Sequence, residues 1–225
     1  MQQTYKYPSG FDTFIYASQL LQADAIRYGV EHFRRNRGRC MGAIYWQLND
    51  CWPVVSWSSI DYEGRLKALH YYAKRFYAPC LISCDDTHRK KPVLNISNER
   101  MTAFEGIVRW KLRNNKAEIL QSGEKSVSVP ALTAQNVLTI DLSDELKNRT
   151  DPREKYLEYS IMENGKELSF GTTLFVRPKE FTFLEPAITY GISESEDKFA
   201  LTFCAENYAK SVCLSLKTAD CVFSD

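Results

Sequence analysis

The spacing of apolar residues changes once along this chain, near Cys80, and that change limits the fold more than any other feature. Before it, apolar residues recur at three- and four-residue steps. After it they alternate. Asp12 can cap a helix start, and Phe14, Ala17, Leu21, Ala25 and Tyr28 follow at helical spacing. Arg34, Arg35 and Arg37 crowd the end of that run, where cations favour the negative pole of the helix dipole; they read as a solvated helix end, with Gly38 as the stop. Met41 to Tyr45 then form a short, continuously apolar run, the mark of a strand covered on both faces. A second helix is expected from Gly64 to Phe76, with Leu66, Leu69, Ala73 and Phe76 as its apolar stripe and Arg65, Lys67, Lys74 and Arg75 facing water.

Helix, buried strand and helix is the grammar of a parallel α/β sheet. One such strand cannot make a sheet, because parallel neighbours need crossovers that cover both faces. Residues 1–78 therefore read as a piece of something larger, with apolar edges left uncovered. Such a piece is expected to be molten, oligomeric or packed on a neighbour.

From Cys80 onward the period is two. Val108, Trp110 and Leu112 alternate with Arg109 and Lys111, and Leu138, Ile140 and Leu142 with Thr139 and Asp141; Leu157, Tyr159 and Ile161 repeat the pattern. With "CLISC", "PVLNIS", "SVSVPAL" and "LSFGTTLFVRP", about seven short strands are expected before Pro178, separated by turns such as "RNNKA" and "ENGKE". The count suits an immunoglobulin-like β-sandwich over residues 79–180, without the Cys…Trp…Cys spacing of antibody domains. "RPKEFTFLEP" reads as a linker. Two more strands, Phe199–Phe203 and Val212–Leu216, suggest that residues 181–225 begin a further β-domain that is cut short. The fold class is thus mixed, α/β then all-β.

Twenty-nine basic against 28 acidic side chains leave a net charge of +1, which gives no electrostatic reason to expect nucleic acid or an anionic membrane as partner. No apolar run approaches the roughly 20 residues that span a bilayer. The opening "MQQTYKYPSG" lacks a signal-peptide pattern, although it does not speak for a longer parent. Seven cysteines without a CxxC pair, and three histidines far apart, indicate neither a metal site nor a disulfide framework; reduced, mostly buried thiols and a cytoplasmic location are expected, with no cofactor.

One stretch does not suit a core. In "GAIYWQLNDCWP" the apolar run ends in Trp46, Gln47, Asn49, Asp50 and Trp52. A core has no use for unpaired amides and a carboxylate, whereas a binding pocket uses indole, amide and carboxylate together. The stretch "RCMGAIYWQLNDCWPVVSWSSIDYEGRLKALHYYAKRFYAPCLIS" resembles the end of the catalytic barrel in β-mannosidases of glycoside hydrolase family two, as do "YASQLLQADAIRYGVEHFRRNR" before it and "ADCVFSD" at the close. The resemblance implies the C-terminal piece of a (β/α)8 TIM barrel, residues 41–48 being its last strand, followed by β-sandwich domains. Active sites of such barrels lie at the C-terminal ends of the strands. It further implies Trp46 as the aromatic wall of the sugar subsite, with Gln47, Asn49, Asp50 and Trp52 as further substrate-binding candidates, and β-mannosides or mannooligosaccharides as ligands of the parent enzyme. Asn49 and Asp50 could equally serve loop backbone groups, with Trp52 packed beneath them. Trp57, Asp61 and Tyr62 read as structural, Asp61 helping to cap the second helix.

A retaining glycosidase needs two carboxylates about 5 Å apart. In the resembled family both are glutamates on earlier barrel strands. No Asn-Glu pair occurs in residues 1–78, Asn98–Glu99 falls in the sandwich, and Glu31 and Glu63 lie on or beside helices. No catalytic residue is therefore assigned, and the chain alone is expected to be inactive. The alternatives are a carbohydrate-binding sandwich, or a purely structural one mediating subunit contacts in a galactosidase, glucuronidase or glucosaminidase. "RWKLRNN" offers an aromatic and basic strand for binding, but Trp110 shares the inward parity of Val108 and Leu112. A homo-oligomer through the barrel segment or the sandwich is one further partner arrangement.

Overall fold

A computed structural model of the protein describes residues 1–195, 198–216 and 222–224; Cys221 and the ends of the "ADCVFSD" motif lie outside them. The alternating region forms seven antiparallel strands: β1 (Cys80–Asp85), β2 (Val93–Asn98), β3 (Phe104–Asn114), β4 (Ile119–Val129), β5 (Thr133–Thr139), β6 (Lys155–Glu163) and β7 (Lys166–Leu174). They make two sheets, ordered β1-β2-β5 and β4-β3-β6-β7. Register sets the core: Val108 lies opposite Ile161 and Leu112 opposite Leu157, and all four are fully buried. Ile82, Leu94 and Ile96 close over them from the other sheet. Trp110 has the expected inward parity. It packs against this core and lies over Gly123, its partner on β4, where an added Cβ would meet the indole Nε1 at 2.8 Å. The strand around Trp110 therefore offers no free aromatic platform.

Strands β1 and β2 are buried on both faces. Residues of opposite parity, Leu81, Ser83, Asn95 and Ser97, are as buried as the core-facing ones, because the first helix lies across them. That helix, α1 (Phe11–Arg35), starts after Gly10 with no side-chain cap; Asp12 instead sits in the first turn, where a carboxylate favours the dipole. Its buried residues are Leu20, Ala23 and Val30. The expected stripe is displaced: Ala25 and Tyr28 are exposed, because the face turned inward also carries the charged residues of a polar helix–sandwich seam.

The arginines past Val30 belong to that seam and not to a solvated end. Arg34 Nη1 donates to the Phe76 carbonyl at 2.6 Å, and Arg37 donates to the Leu132 carbonyl and to the Glu99 carboxylate. Helix α2 (Ala68–Phe76) is shorter than the reading from Gly64, since Gly64 takes φ +83° and Asp61 caps a turn, accepting from the Arg65 amide at 2.8 Å. Leu69, Ala73 and Phe76 of α2 bury against Ala23 and Val30 of α1.

Residues 41–45 form no strand. Ala43 and Tyr45 pack on the two helices and the Tyr77 hydroxyl donates to the Ala43 carbonyl at 2.8 Å, but Ile44 is 99% exposed, and among the described residues no strand pairs with this segment. An extended segment without a neighbour has no ladder to join. The hairpin β8 (Thr189–Ser195) and β9 (Lys198–Cys204) contains the expected strand at Phe199–Phe203, paired with one that the sequence reading passed over. Val212–Leu216 is not a strand. The chain there runs along α1 and α2, where Tyr16 donates to the Ser211 carbonyl at 2.8 Å. Among the six described cysteines, all free, only Cys80 and Cys84 are buried, fewer than expected.

Candidate functional site

The aromatic and amide run sits on a loop that folds back on itself. The Ser59 amide donates to the carbonyls of Gln47 and Leu48, the Ile60 amide to that of Leu48 at 2.8 Å, and the Asp50 amide to that of Ile60 at 3.1 Å. These bonds zip residues 47–50 to 58–60 and leave 51–57 as the tip. The Trp46–Gln47 peptide is cis.

Inside the zip lies Asp50, 6% exposed. Its carboxylate accepts from Ser56 Oγ at 2.5 Å and Ser58 Oγ at 2.7 Å, with the Lys67 ammonium at 3.4 Å. Lys67 also donates to Ser58 Oγ at 2.7 Å. The two hydroxyls, Ser56 first, and the ammonium hold the Asp50 carboxyl below the usual carboxylate range against the opposing effect of burial. A second polar chain runs beside it: Tyr45 OH meets Ser59 Oγ at 2.8 Å, and Ser59 Oγ meets His70 Nδ1 at 3.3 Å. Gln22 of α1 ties the tip by donating to the Trp57 carbonyl at 2.7 Å.

The five residues singled out by sequence thus separate into two groups. Trp46 is 73% and Trp52 67% exposed, so Trp52 does not pack beneath the loop. Asn49 is exposed as well, while Gln47 is half-buried, its Nε2 donating to the Asn49 carbonyl at 3.0 Å. Asp50 faces the other way, and its oxygens are held by side chains, not by the loop amides. With both oxygens engaged and its acidity strengthened, Asp50 is the wrong group to donate a proton to a leaving oxygen. It is the sole carboxylate between Trp46 and Ile60, so the loop does not hold the pair that glycoside hydrolysis needs. Ser56, Ser58 and Lys67 were not singled out from sequence. The available signal was the serine-rich "SWSS" that starts six positions after Asp50, and Lys67 read as a solvent-facing helix residue.

A cleft of about 1000 Å³ lies elsewhere, between the helices, β6–β7 and the segment after Phe203. Two of its tyrosine hydroxyls are paired inside the fold, Tyr16 with the Ser211 carbonyl and Tyr208 with Thr172 Oγ1. It lies at the seam between helices and sandwich.

Residues 91–180 match the family model described as the mannosidase Ig/CBM-like domain. The β-mannosidase of Capra hircus is 46% identical over 78 residues, covering 32% of this chain and 9% of that protein. β-Mannosidase A of Aspergillus fumigatus is 27% identical over 217 residues, 88% of this chain and 22% of the fungal protein. The chain is similar to β-mannosidases along most of its length. The crystal structure of the β-D-mannosidase from Dictyoglomus thermophilum follows the fold over 96% of this chain and 26% of its own, with a TM-score of 0.86 at 24% identity. The exo-chitosanase CsxA of Amycolatopsis orientalis shares the fold more loosely, with a TM-score of 0.65 at 20% identity over 93% of this chain and 28% of its own. The chain spans well under two thirds of the length of the relatives it matches.

Proposed function

We propose that the chain is a C-terminal piece of a retaining β-mannosidase, an enzyme that removes terminal β-linked mannose. Residues 1–78 are read as the last helix–strand–helix of its (β/α)8 barrel, 79–180 as the sandwich that props the barrel, and 181–225 as the start of a further β-domain. Trp46 forms the aromatic wall of the sugar subsite, with Trp52, Gln47 and Asn49 beside it and Asp50 bracing the loop from behind. The two catalytic glutamates belong to barrel strands that this chain does not contain.

The observation that carries the reading is the contrast within one loop: its backbone is zipped and its carboxylate locked, yet Trp46 and Trp52 stand in the open. Apolar side chains are costly to leave in water unless a ligand or a neighbouring element covers them. The segment at 41–45, which joins no sheet among the described residues, and the exposed Ile44 fit a barrel strand whose neighbours lie on another part of the polypeptide.

The test is hydrolysis of an aryl β-mannoside by the 225-residue chain and by the polypeptide extended upstream in its coding sequence. The extended form should cleave with retention and lose activity when Trp46 is replaced by alanine, while the short chain should not exceed a heat-killed control. Turnover by the pure short chain, or an extended form that prefers galactosides or glucosaminides, overturns the proposal.

A further inference from the structure

Trp46 and Trp52 are too exposed for packing to hold their rings, so their direction must come from the backbone that carries them. We propose that Lys67, Ser56 and Ser58 are positioning residues for Trp46 and Trp52, acting through the carboxylate of Asp50. The functional meaning of this positioning rests on the β-mannosidase reading above.

Asp50 stands four residues after one indole and two before the other. Its backbone amide is tied to Ile60, and its carboxylate to Ser56, Ser58 and Lys67. Lys67 joins the loop to a firm base. It is the residue before α2, its own amide donates to the Ser59 carbonyl at 2.9 Å, and α2 is anchored by the buried Leu69, Ala73 and Phe76. The lysine and aspartate side chains are 14% and 2% exposed, so water is a poor substitute for either partner. Removing the ammonium leaves a carboxylate with little solvent and one charge uncompensated, and the loop must open to hydrate it. Opening the zip at Asp50 frees the backbone on both sides, where the indoles are attached. Core packing alone does not ask for this arrangement: an apolar loop centre would hold the chain without four polar groups converging on one point.

The test labels the whole chain with 5-fluorotryptophan and reads its four tryptophans by fluorine NMR, each resonance assigned by a Trp→Phe substitution. In Lys67→Met and Ser58→Ala the Trp46 and Trp52 resonances should shift or broaden, while Trp110, inside the sandwich, keeps its position and reports that the chain is folded. Lys67→Arg, which keeps charge and reach, should restore most of the original spectrum. Unmoved Trp46 and Trp52 resonances in a folded Lys67→Met chain overturn the proposal, as does Lys67→Arg behaving like Lys67→Met. If Lys67→Met does not fold, Ser56→Ala decides: a change at Trp52 supports the latch and an unchanged spectrum rejects it. No sugar enters the measurement, so its failure is separate from failure of the β-mannosidase reading.

Discussion

Arg37, just past the first helix, reaches 62 positions along the chain to pair with Glu99 at the end of β2. The same guanidinium donates through Nε to the Leu132 carbonyl, so one side chain grips two turns of the sandwich. Its side chain is 14% exposed against 37% for Glu99. A half-wet pair of this kind contributes modestly, and loss of the carbonyl contact adds to it. Arg37→Ala should therefore destabilise the chain by about 1 kcal/mol in urea unfolding. Glu99→Gln should cost less, because it spares the Leu132 contact. Equal costs would mean that the ion pair alone matters.

Three glycines lie beneath aromatic rings or carbonyls within the four-stranded sheet, and one is far less tolerant than the others. A Cβ on Gly106 would stand 2.2 Å from the Met162 backbone carbonyl and 2.6 Å from the Phe104 ring, both fixed. At Gly123 and Gly171 the obstacles are the Trp110 and Tyr159 side chains. Gly106→Ala should cost about 2 kcal/mol or more, in the upper part of the range for overpacking, and more than Gly123→Ala. Thermal melts of the two variants check the order.

The sandwich was legible because alternation is a local signal: Val108, Leu112, Leu157 and Ile161 each announce their face by parity, and pairing then follows. The helical segment was harder to read. Met41–Tyr45 has the composition of a buried strand, but a strand exists only with a neighbour, and sequence does not reveal that none is at hand. Lys67, Arg34 and Arg37 looked like surface charges because their partners, Asp50, the Phe76 carbonyl, Glu99 and the Leu132 carbonyl, are brought to them only by the fold. Val212–Leu216 alternates as a strand would, yet its neighbours are the tyrosines of α1 and α2. The indoles of the candidate site were visible as residue types, and the brace behind them was not.

Asp50 links loop order to acidity. Its folded-state pKa is depressed, with the Ser56 hydroxyl as the first cause and burial opposing, so ionisation favours the closed loop. That stabilisation is complete above the unfolded carboxylate value of about 3.9 and is lost as pH falls through the lower folded value. The Trp46 and Trp52 resonances should hold steady from pH 7 to about 4 and change below it. Asp50→Asn removes the titrating group, so its loop signals should lose this acid transition. A transition of the same midpoint in Asp50→Asn would assign it to other carboxylates.

Ile44 and Val55 are 99% and 102% exposed, and Trp46, Trp52 and Trp57, close to them in sequence, are exposed as well. Alone in water, such a face is expected to find a second copy, since fully burying one large aliphatic side chain is worth about 1.5–3 kcal/mol. Sedimentation velocity of the 225-residue chain should show reversible association that rises with concentration. Replacing both residues by glutamate should weaken it at least about tenfold, which corresponds to ~1.4 kcal/mol. Because neither side chain makes a buried contact, the melting of the sandwich should stay within about 0.5 kcal/mol of the original. Association unchanged by the double substitution would place the contact elsewhere, with the apolar face of β8–β9, where Tyr190 and Phe199 are exposed, as the next surface to alter.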